Sequence, residues 1–198
     1  MMYENRLATT PNPGTFFSAG AEALSSRVVD FEDGPIHLND PSEGLLYQTW
    51  MSKVVNDQVV LSADNYSETV IFSAPSISDF SIAFNQNGQL NYCYVQEGTT
   101  YLYWYDASVS GYVTTNFGST MRTPKVTLDD KRSGASGASD IIFAYIKISD
   151  NKLYFRQQRD RFQIERLLDA GPFISIERMY FNVNNALQFK LVEGDPNA

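Results

Sequence analysis

Arg156, Arg159, Arg161 and Arg166 fall inside one short stretch, "LYFRQQRDRFQIERLL" (Leu153–Leu168), beside Gln157, Gln158, Asp160 and Glu165. Clustered guanidinium groups can bind phosphates or carboxylates. The rest of the chain argues against phosphate. Its 23 Asp and Glu outnumber 15 Lys and Arg, giving a formal net charge of -8 at pH 7. Such a surface repels nucleic acid. The functional expectation is a docking surface in which the four arginines meet an acidic protein partner. The competing expectation is a solvated outer hairpin whose charges block edge-to-edge strand pairing.

A second group of residues is aromatic. "QLNYCYV" places Tyr92 and Tyr94 on one face of a strand, and "TTYLYWYD" places Tyr101, Tyr103 and Tyr105 on one face of the next. A tyrosine sheet can stack against sugars or against a protein partner. It can equally be cross-strand aromatic pairing that covers the sheet.

No other constellation suggests chemistry. The single histidine, His37, stands in a loop-like context, "GPIHLNDP", with no G-x-S-x-G nucleophile motif in the chain. The single cysteine, Cys93, rules out an intrachain disulfide and a thiolate metal set. It lies among apolar residues and reads as a small buried hydrophobe. "DFEDG" (Asp30–Gly34) and "LDD" (Leu128–Asp130) gather carboxylates beside turns, but lack the spaced pattern of a calcium loop. No carboxylate pair stands out as a glycosidase pair. "SGASGAS" (Ser133–Ser139) lacks the Lys-Ser/Thr of a phosphate-binding loop. The expectation is a non-enzymatic protein with no catalytic residue, no metal site and no cofactor. No apolar run approaches the roughly 20 residues of a membrane helix. The first residues lack a signal-peptide pattern, which points to synthesis in a cytoplasm.

The elements that carry these residues read as strands. Runs rich in Val, Ile, Tyr, Phe and Thr alternate with gaps such as "EDGP", "ND", "PS", "NQNG" and "EG". Within Leu153–Leu168 the apolar positions make no helical stripe. Alternation fits better: Leu153, Phe155 and Gln157 share one face, as do Phe162, Ile164 and Arg166. This predicts strands over "LYFRQQ" and "RFQIERLL" with "RD" at the hairpin tip.

The runs also repeat. "YVQEGTTYLYW" (Tyr94–Trp104) overlays "YIKISDNKLYF" (Tyr145–Phe155) without a gap, and "WMSKVVNDQVVLSADNYSETVIF" is a weaker earlier copy. Four antiparallel strands about every 45–50 residues mark a propeller blade. The expected fold is all-β, a propeller-like array of antiparallel four-stranded units, with a β-sandwich as the alternative. Residues 1–26 are expected to form an N-terminal arm. Residues 27–198 are expected to form a single β domain of about four repeated units, the last one partial, with the N-terminus as the candidate to complete it.

The phrases "DFEDGPIHLNDPSEGLLYQTW", "VVLSA…VIFSAP", "SIAFNQNGQLNYCYVQEGTTYLYWYD", "LYFRQQRDRF" and "ALQFKL" together resemble structural proteins of tailed bacteriophages. The resemblance covers roughly residues 28–192 and carries no residue-level site motif. It implies a virion component of the tail, such as a nozzle, adaptor or fibre anchor, made in the host cytoplasm. It also implies partners among other tail proteins and a homo-oligomer within a larger assembly. A host-surface glycan is the alternative partner, as for a receptor-binding module of a fibre. Neither sequence-specific nucleic-acid binding nor membrane insertion is expected.

Overall fold

The computed structural model describes residues 29–35, 47–63, 66–85, 87–129, 140–182 and 186–194. The expected arm, His37 and the Ser133–Ser139 loop lie outside these residues.

The chain is all-β. Its strands follow one another as antiparallel meanders, each pairing with its sequence neighbour. The first sheet contains β1 (Val29–Pro35), β2 (Tyr47–Val55), β3 (Gln58–Ala63) and β4 (Tyr66–Ser73). The second contains β5 (Ile77–Phe84), β6 (Leu90–Gln96), β7 (Thr99–Asp106) and β8 (Gly111–Gly118). The third contains β9 (Met121–Leu128), β10 (Ile141–Lys147), β11 (Lys152–Gln157) and β12 (Arg166–Asp169). The fourth has two described strands, β13 (Phe173–Phe181) and β14 (Leu187–Glu193). Tight turns set the registers. Asn56 and Asp57 between β2 and β3 both have positive φ, as do Glu97 and Gly98 between β6 and β7. This is the twist-matched hairpin geometry that Asn, Asp and Gly tolerate best.

The sheets pack face on face in series, and alternation along each central strand supplies both faces. On β7, Tyr103 turns toward the first sheet while Leu102 and Trp104 turn toward the third. The first interface buries Trp50, Leu61, Phe80, Ile82 and Phe84. The second buries Cys93, Leu102, Trp104, Phe143, Tyr145 and Phe162. The third buries Ile142, Ala144, Ile146, Leu153, Phe173 and Ile176. The opening strand of each sheet lies beside that of the next: β1 by β5, β5 by β9, β9 by β13. Between β5 and β9, the Ser81 hydroxyl accepts from the Val126 amide at 3.0 Å and Lys125 Nζ meets Asp79 Oδ1 at 3.2 Å.

The 51-residue repeat corresponds to equivalent places in consecutive sheets. Tyr94 and Tyr145 lie on second strands facing the preceding sheet. Leu102 and Leu153 lie on third strands facing the following one.

Two local expectations are corrected. "EDG" forms no turn, because β1 runs through it: Glu32, Asp33 and Gly34 pair with Trp50, Thr49 and Gln48. Cross-strand pairing there overrides the local turn preference. The strand expected over Arg161–Leu168 is also shorter, limited to β12. Gln158–Asp160 forms a 3-10 turn, and Arg161 and Phe162 adopt left-handed backbone, φ 54 and 58. Phe162 therefore parts from Ile164 and Arg166, with which it was expected to share a strand face, and enters the core between the second and third sheets. Burying its ring offsets the cost of that backbone.

Candidate functional site

The β11–β12 connection and the tyrosine face of the second sheet are the two candidate regions. The connection is held by charge. Arg156, at the end of β11, donates Nη1 to the Phe162 and Gln163 carbonyls at 2.9 and 3.1 Å. Its Nη2 donates to Glu165 Oε2 at 3.2 Å, and its Nε to the Tyr145 hydroxyl at 3.0 Å. The guanidinium also lies over the Phe117 ring, 5.3 Å from its centre. Arg156 thus closes the loop around Phe162, whose ring meets Trp104 edge-on at 5.1 Å.

The other three arginines also pair with carboxylates of the same chain, Arg159 and Arg161 outside the connection and Arg166 within it. Arg159 bonds Asp140 through both its amide and its Nε, and reaches Asp129 at 3.4 Å. Arg161 Nη2 donates to Asp106 Oδ2 at 2.6 Å, and Arg166 pairs with Asp160. Gln158 Nε2 adds a bond to the Tyr105 carbonyl at 2.7 Å. The connection therefore docks on β7 of the second sheet through Arg161, Gln158 and Phe162.

Electrostatics follow these contacts. The hydroxyl and amide of Ser108, reinforced by Arg161, hold the Asp106 carboxyl below the usual carboxylate range. Burial pushes Asp140 upward, with Arg159 opposing it. Burial also acts to raise Glu165, but hydrogen bonds from Lys147 (2.6 Å) and Tyr145 outweigh it and hold the carboxyl low. The same pairing raises Lys147. Burial first, and then the bond to Glu165, raise the Tyr145 hydroxyl. The structure brings the four arginines together, each beside a carboxylate, so the group is a neutralised network.

The tyrosine face is built by register. Tyr92 lies opposite Tyr103, Tyr94 opposite Tyr101, and Tyr105 opposite Tyr112. Tyr92, Tyr103 and Tyr112 stack in succession, with centroids 4.7 Å apart at each step. Tyr94 and Tyr101 stack at 5.1 Å, and Tyr105 meets Tyr112 edge-on at 5.4 Å. Phe72 of the first sheet continues the row at Tyr92 and Tyr94. Burial raises the Tyr92, Tyr103 and Tyr112 hydroxyls above the ordinary tyrosine range. Both faces of the Tyr103 ring are occupied by neighbours. A ligand approaching there meets ring edges and hydroxyls. Tyr112, on the edge strand β8, is the exposed end of the stack.

Sequence reasoning placed Tyr101, Tyr103 and Tyr105 on one face, as found, and did not single out Tyr112. The five-residue turn "ASVSG" would have paired Tyr105 with Val113; the turn is one residue shorter, Gly111 pairs with Asp106, and so Tyr105 meets Tyr112. Sequence reasoning also missed Asp106, Asp140, Glu165 and Tyr145 as partners of the arginines, which no local pattern marks. Among the described residues, no group of three or more His, Cys, Asp or Glu side chains is placed to hold a metal ion. No described helix is long and apolar enough to cross a membrane. Comparison with protein-family models, with curated proteins and with solved structures finds no match to this chain.

Proposed function

We propose that this chain is a non-enzymatic structural component of a bacteriophage tail assembly, a nozzle, adaptor or fibre anchor that works through protein–protein contacts. One observation carries the reading: the described parts of the phrases that resemble tail proteins form a series of stacked antiparallel meanders. Its densest charge is spent on internal pairing. Such a body offers sheet faces and edges as its contact surfaces. The series is read as a propeller-like array within a larger assembly, alongside other tail proteins in the virion. The experiment is peptide mass spectrometry and high-resolution imaging of purified particles. The chain should appear at a fixed stoichiometry in the tail, and its absence from intact particles sinks the reading.

A carbohydrate-binding role at the host surface is the second reading, and the exposed end of the tyrosine stack favours it. A pyranose ring stacks on an open aromatic face, which Tyr112 offers and Tyr103 does not. Glycan-array binding that disappears in Tyr112→Ala and survives in Tyr103→Phe supports it. An array with no bound glycan removes it.

A further inference from the structure

Among the described residues, tyrosine stacks on tyrosine in four pairs: Tyr92 with Tyr103, Tyr94 with Tyr101, Tyr103 with Tyr112 and Tyr145 with Tyr154. They differ in spacing, parallelism and access. Tyr145 and Tyr154 lie 6.4 Å apart, and Tyr145 is fully buried. Tyr92 is buried, and Tyr94 and Tyr101 are half-buried. Tyr103 and Tyr112 are 4.7 Å apart, as close as Tyr92 and Tyr103, and make the flattest of the four stacks, with 5° between ring planes. Tyr112 is 43% exposed.

The contact follows from the sheet. Tyr103 lies opposite Thr114, and Tyr105 lies opposite Tyr112. Tyr103 and Tyr112 are therefore diagonal neighbours on one face of an antiparallel pair, a separation that aromatic side chains bridge.

A phenol pair placed in this way is arranged for one reaction. Losing one electron and the hydroxyl proton turns a phenol into a phenoxyl radical. Its unpaired electron is shared between the oxygen and the ring carbons ortho and para to it. The para carbon of tyrosine carries the side chain, so the ortho carbons are the free positions. Their unpaired density lies in π orbitals along the ring normal. Two nearly parallel rings in contact aim those orbitals at each other. Holding them there makes the coupling an intramolecular step, favoured over encounters between chains.

Access selects the same pair. An oxidant in solution reaches Tyr112, on the edge strand β8. Tyr180, 39% exposed, lies under the Arg178 guanidinium and stacks on no other tyrosine among the described residues. Trp50, Trp104 and Cys93 are buried, and oxidation follows exposure. Burial raises the Tyr92 hydroxyl, which makes loss of its proton harder.

We propose that Tyr103 and Tyr112 are a site of dityrosine cross-linking by one-electron oxidants, the class delivered by a haem peroxidase with hydrogen peroxide. Each ring loses one electron to the oxidant and its hydroxyl proton to water. The two radicals join ortho carbon to ortho carbon. The two ring hydrogens at the new bond then pass to the two oxygens, and both rings regain aromaticity. Per link, two electrons and two protons leave the protein, and one peroxide takes them up to give two waters. The bond ties the edge strand β8 to β7. The reaction involves the ring of the carbohydrate reading but needs no glycan, and it does not depend on the virion reading.

The test adds peroxidase and peroxide to a dilute solution of the full-length chain. Dityrosine fluorescence is expected from a product of single-chain mass, less two hydrogens. Cleavage before aspartate separates residues 79–105, which hold Tyr92, Tyr94, Tyr101, Tyr103 and Tyr105, from residues 106–128, whose only tyrosine is Tyr112. The two peptides should be recovered joined, and fragmentation should place the bond between Tyr103 and Tyr112. Tyr112→Phe and Tyr103→Phe, with far-UV circular dichroism unchanged, should each lose most of the single-chain fluorescence. Tyr101→Phe should keep it. Absence of dityrosine, links found only between chains, a bond from Tyr112 to Tyr105, or full single-chain fluorescence in Tyr112→Phe overturns the proposal.

Discussion

Phe162→Ala separates the two ways in which Leu153–Leu168 can fold. In an alternating hairpin strand, Phe162 and Ile164 share a face and respond alike to truncation. In the structure Phe162 is 0% exposed between Trp104 and Phe143, while Ile164 is 51% exposed. Emptying a fully buried phenylalanine site costs about 3–5 kcal/mol. Of this, about 0.5–1.5 kcal/mol is the edge-on aromatic contact. Ile164→Ala removes half-hydrated surface and should cost less than about 1 kcal/mol. With a urea slope of about 2–3 kcal/mol/M, Phe162→Ala should lower the unfolding midpoint by about 1–2.5 M, and Ile164→Ala by no more than about 0.5 M. Urea titration of the full-length chain followed by tryptophan fluorescence reads both, since Trp104 lies against Phe162. Equal shifts for the two variants refute the buried-plug reasoning and restore the hairpin.

The remaining predictions concern the same body. Glu165 has its folded-state pKa below its unfolded value of about 4.3, so its contribution is complete above that pH and fades as pH falls through the folded value. Glu165→Gln should therefore be less stable than wild type at pH 7, with the gap closing at acid pH. A gap of constant size from pH 7 to pH 3 contradicts the assignment. Gly171 has φ +64, and a Cβ there would lie 2.5 Å from the Asn151 carbonyl oxygen. Gly171→Ala should cost more than about 1 kcal/mol in thermal unfolding. Gly98→Ala, with open space around its Cβ, should cost only its backbone strain, so the reverse order counts against the link between β12 and β13.

Much of the architecture is legible in a one-dimensional reading. The runs between "ND", "EG" and "ASVSG" became strands because alternation and turn chemistry are set by residues within a few positions of one another. The 51-residue match marked equivalent strands because each sheet repeats the same two-sided packing problem. Where local signals failed, a distant contact outweighed them. "EDG" was drawn into β1 by pairing with β2, and Phe162 was drawn out of a strand by a vacancy between two sheets.

The candidate site divides along the same line. That Tyr101, Tyr103 and Tyr105 share a face is a property of strand period, and the sequence alone determines it. That Tyr103 is sandwiched and Tyr112 is the exposed end depends on which strands lie on either side. The four arginines were visible as a cluster, and their partners were not. Arg161 meets Asp106 across 55 residues, and Arg159 meets Asp129 across 30. A charged side chain shows no periodicity that names its partner: stacking of the second sheet on the third brings Asp106 to Arg161, and the strand order of the third sheet brings Asp129 to Arg159.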